Sequence, residues 1–288
     1  PQLRWLYPPN LLLQFLPPAV AFTALVVLYL VFAGLGMWLY LRMIAGVSHA
    51  GALCGAASFV LAGFFACHLM SGIVVFTATA AWLPWILLLG WRVGRSGTGP
   101  GWIFLLAAAL GCQICSGAPQ IVYYTWFVLG IVVVWRMITG IRRSAALAQT
   151  LRIPIVVALA CLAGALLAAP SLLPTLEFGR LSFQRGGEKA FELVTNTSMA
   201  PRYLWLLVAP RFFFDPRIEA TYWAGEEGYW EVCGYMGIGP LVAALVALFG
   251  WRRLFHTGGR DDDPSVQPGT QNQASVTAFH ILIALVAI

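Results

Sequence analysis

Apolar residues fill 60% of the 288 positions and charged residues only 10%, which excludes a water-soluble globular domain of this length. The net charge of +6 is spread along the chain rather than gathered into one basic patch, so it gives no case for nucleic acid as a partner. The expected class is an all-α, polytopic bundle of transmembrane helices.

Crossing the hydrocarbon takes about 20 mostly apolar residues per helix. In chain order the candidates are 19–41, 48–67, 72–91, 101–117, 119–141, 153–176, 232–251 and 275 onward, eight stretches in all. No alternation of apolar and polar residues suggests a barrel, and unsatisfied backbone groups are costly in lipid, so these stretches must be helices. The weak point is Gly117-Ala118-Pro119-Gln120, which has to split 101–141 into two helices. The resulting plan is a leading loop end at 1–18, spans one to six over 19–177, a large extracytoplasmic loop at 178–231, and spans seven and eight over 232–288 with a cytoplasmic linker at 252–274. Starting at Pro1 without Met and stopping inside an apolar run at Ile288, the chain reads as a piece of a longer protein.

The arginines set the expected orientation. Arg42, Arg92, Arg95, Arg136, Arg142, Arg143, Arg152, Arg252, Arg253 and Arg260 all fall on one side if the spans alternate, and the opposite short loops carry no Lys or Arg apart from Arg4 in the leading segment. By the positive-inside rule that side is cytoplasmic. Eight of the eleven acids lie between Glu177 and Glu231, so the large, mixed-charge loop is expected to face outward.

Several motifs have bland explanations. Asp261-Asp262-Asp263 resembles a metal-binding Asp-x-Asp, but its Gly, Pro and Gln neighbours make it a solvated linker. Asn196-Thr197-Ser198 is a glycosylation triplet of a kind common by chance. Cys112 and Cys115 form a C-x-x-C without a thioredoxin-like context, and all six cysteines are expected to pack as small apolar residues. Gly51 and Gly55 form a G-x-x-x-G expected to make a close helix contact.

Polar residues at span ends are better leads, because ionisable groups at membrane depth need a partner or water. His68 ends span two, Gln120 begins span five and Glu177 ends span six, so each is a candidate for lining one cavity. The bland alternatives are an interfacial histidine, a cap beside Pro119, and an ion pair from Glu177 to Arg180 one turn on. In the large loop Arg180 and Arg211 are candidate phosphate contacts, and Glu226 and Glu231 candidate cavity acids. Tyr203, Trp205, Phe212 and their aromatic neighbours are either interface anchors or stacking surfaces for a sugar or lipid head group. Arg202 to Val208 is expected to be an amphipathic helix lying on the membrane.

Several segments taken together resemble one family. They are Tyr7-Pro8-Pro9-Asn10-Leu11-Leu12, Leu61-Ala62-Gly63-Phe64 with His68 and Trp82-Leu83-Pro84, and Gly117-Ala118-Pro119-Gln120. They continue with Pro170 through Glu177, Ala209-Pro210-Arg211-Phe212, and Tyr235-Met236-Gly237-Ile238-Gly239-Pro240-Leu241. In this order they resemble the YfhO family of bacterial multi-pass membrane proteins, related to the GT-C glycosyltransferases. The resemblance implies a protein of the bacterial cytoplasmic membrane that moves a sugar from a polyprenyl-phosphate carrier to a cell-envelope glycan or lipid acceptor on the outer side. It also implies a catalytic acid in the first outer loop. Residues 1–18 contain no Asp or Glu, so that acid is expected upstream and no residue here inherits its role. No cofactor is assigned, with a divalent metal left open. The alternatives are a transporter or flippase of lipid-linked saccharides, which would place charge near the midplane, often on broken helices, where the spans here carry almost none, and a non-catalytic envelope-assembly protein.

Overall fold

The computed structural model describes residues 7–12, 15–94, 99–142, 147–181, 201–210, 212, 234–242 and 245. Every regular element among them is helical: α1 Pro8–Leu12, α2 Pro18–Met43, α3 His49–Val60, α4 Gly63–Met70, α5 Val74–Ala80, α6 Leu83–Arg92, α7 Pro100–Cys115, α8 Pro119–Arg142, α9 Leu147–Leu167, α10 Ala169–Leu181 and a 3₁₀ helix Pro201–Leu207. Five stretches are long and apolar enough to cross a membrane, namely Pro18–Met43, His49–Met70, Val74–Arg92, Pro119–Arg142 and Leu147–Leu167. The protein is a membrane-embedded, multi-pass helical protein. α7 is equally apolar, but its 16 residues span only about 24 Å.

The expected stretches 19–41, 48–67, 72–91, 101–117 and 119–141 coincide with helix, and two of them are interrupted. The second span breaks at Leu61 and Ala62 between α3 and α4, and the third at Ala81 and Trp82 between α5 and α6. Pro84 explains the third-span break, since it has no N–H to offer the Ala80 carbonyl four residues back. The expected sixth stretch, 153–176, is corrected: helix starts at Leu147, stops at Leu167 and resumes at Ala169. Pro170 has no N–H for the Leu166 carbonyl, so the ladder opens there. Spans seven and eight lie outside the described residues apart from Gly234 to Val242 and Leu245, as do Asp261–Asp263 and Asn196–Ser198.

The split at residues 117–120 is as the sequence requires. Ser116 caps α7, Gly117 turns the chain at φ 98°, and Pro119 opens α8. Only glycine takes this φ freely, so Gly117→Ala is expected to cost about 1–2 kcal/mol. A lowered melting temperature in detergent checks this, and an unchanged one refutes it.

The chain forms two compact units. The first comprises Pro1–Gly36 and His68–Ala200. Its centre is the third span, with 72% of its most apolar window buried, against 28% for α9. Ile86, Leu106, Leu110, Leu129 and Ala160, from α6, α7, α8 and α9, form the core. α7 and α9 cross with no side chain between them at Gly111 and Gly164, where a Cβ on Gly164 would lie 2.8 Å from the Ala107 carbonyl oxygen. Glycines at such crossings let two backbones approach within van der Waals contact.

The second unit comprises Met37–Cys67 and Pro201–Ile288. Here Arg42 closes the turn after α2, its Nη1 donating to the Val47 carbonyl at 2.7 Å and its Nη2 lying 2.9 Å from His49 Nε2. Ser48 caps α3 by accepting the Gly51 N–H at 3.2 Å. Of the G-x-x-x-G pair, Gly55 makes the expected close contact, a Cβ there meeting Leu41 at 2.5 Å, whereas Gly51 faces Val47 and Ser48 of its own entry turn.

Candidate functional site

The break in the third span creates a polar site inside the first unit. Trp82 N–H reaches back to the Thr79 carbonyl at 3.3 Å, and Gln113 of α7 donates its Nε2 to the same carbonyl at 3.2 Å. That amide also donates to Thr125 Oγ1 of α8 at 2.8 Å, and Thr125 donates to the Ile121 carbonyl at 2.9 Å. Thr79 and Ser116 share a hydroxyl–hydroxyl bond, and Ser116 bonds the Gln113 carbonyl. One glutamine thus ties α5, α7 and α8 together at the interruption. Flipping the amide would set its oxygen against the Thr79 carbonyl and against a threonine already donating elsewhere, so the orientation is fixed by its neighbours.

Thr77, Thr79, Gln113 and Ser116 are fully buried and Thr125 is 1% exposed. Gln113 Oε1 and Thr77 Oγ1 have no hydrogen-bond partner among the described residues. Groups of this kind are expensive at membrane depth and mark places where a helical protein is specialised. The cluster contains no ionisable group, so it holds the broken span in register and cannot itself carry acid–base chemistry.

An aromatic group lies at the same span. Trp82 Nε1 donates to the Tyr7 hydroxyl at 3.0 Å, and Tyr29 donates to Asn10 Oδ1 at 3.3 Å. Phe32 meets Trp82 edge-on and stacks on Trp85, whose Nε1 donates to the Phe32 carbonyl at 3.0 Å. Gly36 makes room for that indole, since a Cβ there would lie 2.5 Å from Trp85 Nε1. Within the second unit, the Gly63 N–H at the start of α4 bonds the Tyr235 carbonyl.

Among the described residues, His68 is buried while Gln120 and Glu177 are exposed. His68 is 2% exposed, with its ring 4.8 Å from that of Phe76. Gln120 is exposed and donates to the Tyr124 hydroxyl at 3.1 Å, so it neither caps the break at Pro119 nor faces the interior. Glu177 is exposed on α10. The helix does continue through Arg180 to Leu181, as a one-turn pairing of Glu177 with Arg180 requires, but the Arg180 side chain lies outside the described residues. Arg211, Glu226 and Glu231 also lie outside them. Cys112 and Cys115 are free thiols, Cys115 buried and Cys112 partly so. Among the described residues no three His, Cys, Asp or Glu side chains come together to hold a metal, and no metal-dependent step is derived.

Sequence reasoning passed over Gln113, the only amide or charged side chain between Trp102 and Gln120. That isolation was the available signal. The helix expected at Arg202 to Val208 is a 3₁₀ helix, Pro201–Leu207, with Tyr203 and Leu206 buried and Leu204 and Trp205 exposed. Compared with family models, with curated proteins and with solved structures, the chain gives no match in any of the three.

Proposed function

We propose that the protein is a membrane glycosyltransferase of the GT-C kind, moving a sugar from a polyprenyl-phosphate carrier to a cell-envelope acceptor at the outer face of the bacterial cytoplasmic membrane. The observation that carries this reading is the pairing of the segments behind the family resemblance. Trp82 bonds Tyr7, and Gly63 bonds Tyr235, each joining two of those segments. Short strings far apart in sequence that also meet in the fold behave as parts of one constellation.

In the reaction the acceptor hydroxyl gives its proton to a carboxylate as its oxygen bonds the anomeric carbon. The bond from that carbon to the phosphate oxygen breaks, and polyprenyl phosphate leaves with the electron pair, stabilised by cationic donors. The described residues supply the frame. Glu177, exposed on α10 beyond two prolines, is the acid proposed to touch donor or acceptor. Glu177→Gln is then expected to lower transfer about tenfold, the scale of one charged hydrogen bond. Unchanged turnover at normal expression returns Glu177 to a structural role.

The direct test uses protein in liposomes with a carrier labelled in its sugar and an envelope acceptor. Label passing to the acceptor supports the transferase. Label that stays on the carrier but changes leaflet supports the second reading, a flippase. The interrupted second and third spans favour that second reading, because transporters build their sites at broken helices.

A further inference from the structure

We propose that the segment from Pro201 to Phe212 is a membrane-interface element whose outward face of Leu204, Trp205, Val208 and Phe212 sits in the boundary between lipid head groups and acyl chains. The 3₁₀ helix repeats every three residues, so Tyr203 and Leu206 share one edge and Trp205 and Val208 the next. The first edge is buried, with both residues 1% exposed; the second is open, Trp205 at 59% and Val208 at 46%. Leu204 at 58% extends this face, and Phe212 at 55% stacks on Trp205 with ring centroids 5.8 Å apart. In water these four side chains would form a contiguous apolar patch, whereas the bilayer boundary accepts them.

The element's packing partner gives its depth. A Cβ on Gly234 would lie 2.9 Å from Leu207 Cδ2, so the 3₁₀ helix rests against that glycine. The next residue, Tyr235, accepts the Gly63 N–H. Gly63 opens α4, which runs on to Met70 at the end of a membrane-crossing stretch. The bonded point therefore lies about 10 Å inside that end, at 1.5 Å per residue. An element resting on the neighbouring residue is within reach of the membrane boundary. The described side chains beside Trp205 on the open face, Leu204, Val208 and Phe212, are all apolar, as the lipid boundary requires. The indole suits the boundary, with an apolar body and one N–H.

The test places single spin-labelled cysteines at Leu204, Val208 and Phe212 in the full chain, with the six native cysteines replaced. In phosphatidylethanolamine and phosphatidylglycerol vesicles, collisions with oxygen should exceed those with a water-soluble nickel chelate by about threefold at all three sites. Nickel access equal to or above oxygen overturns the proposal in favour of a water-facing platform for a polar ligand. Low access to both overturns it in favour of a face covered by protein. Should the cysteine-free chain fail to fold, the native chain is compared with Trp205→Phe in lipid brominated near the head group. Stronger quenching of the native chain is expected, and equal quenching refutes the proposal.

Discussion

Gly164→Leu will prevent α7 and α9 from closing, and the protein will unfold in detergent at a temperature well below that of the native chain. At this crossing even a first carbon on Gly164 would lie 2.8 Å from the Ala107 carbonyl oxygen, 2.8 Å from Leu110 Cβ and 3.2 Å from the Gly111 nitrogen. None of these atoms ends a flexible side chain, so relief requires the helices to part. Separation would strip the contacts of Leu106, Leu110, Val157 and Ala160 in the same core. In hydrocarbon, close packing rather than water exclusion holds helices together, so a lost fit is not offset elsewhere. The expected cost is about 3 kcal/mol or more, the upper end for overpacked sites. Gly164→Ala should fall between native and Leu. Gly130→Ala is the control: a Cβ at Gly130, in the middle of α8, has nothing within 4 Å. It should be neutral or stabilise by up to about 1 kcal/mol through helix propensity. Equal melting temperatures for Gly164→Leu and the native chain would remove the crossing from the account of stability.

The helical placement of the first five apolar stretches was legible because hydropathy over about 20 residues needs no knowledge of partners. The turn at Gly117 was legible too, because glycine and proline both mark it locally. Interruptions at Leu61–Ala62 and Ala81–Trp82 were not, since a two-residue break vanishes in a window of that length although Pro84 stood in plain view. The Gly111–Gly164 contact joins residues on α7 and α9, and nothing local distinguishes these glycines from Gly130, which faces open space. The G-x-x-x-G rule instead picked Gly51 and Gly55, of which only Gly55 meets another helix. For the site, attention to polar residues at span ends led to His68, Gln120 and Glu177 and away from Gln113, which lies inside a span. What gives Gln113 its role is a carbonyl at the end of another helix, that of Thr79, 34 residues away.

Arg136 carries the second large expectation. The sequence uses it only to orient the spans, yet in the fold it is 8% exposed and fastens the end of another helix. Its Nη1 donates to the carbonyls of Gly90 and Val93, both at 2.9 Å, and its guanidinium lies 5.3 Å from the centre of the Trp91 ring. Those carbonyls belong to the last turn of α6 and to its C-cap residue, Val93, where the helix has no N–H groups left to give and the macrodipole is negative. A cation there satisfies both needs at once, and a planar guanidinium also stacks on the indole. Arg136→Met keeps length and apolar contact but orphans two carbonyls, at an expected cost of about 2–4 kcal/mol from two charge-assisted bonds. Arg136→Lys keeps the charge and a donor without the planar stack, so its melting temperature should lie between Met and native. If Met and native melt together, the contacts at Gly90 and Val93 hold nothing, and Arg136 keeps only its topological part. If Lys falls as far as Met, the planar guanidinium rather than its charge secures the helix end.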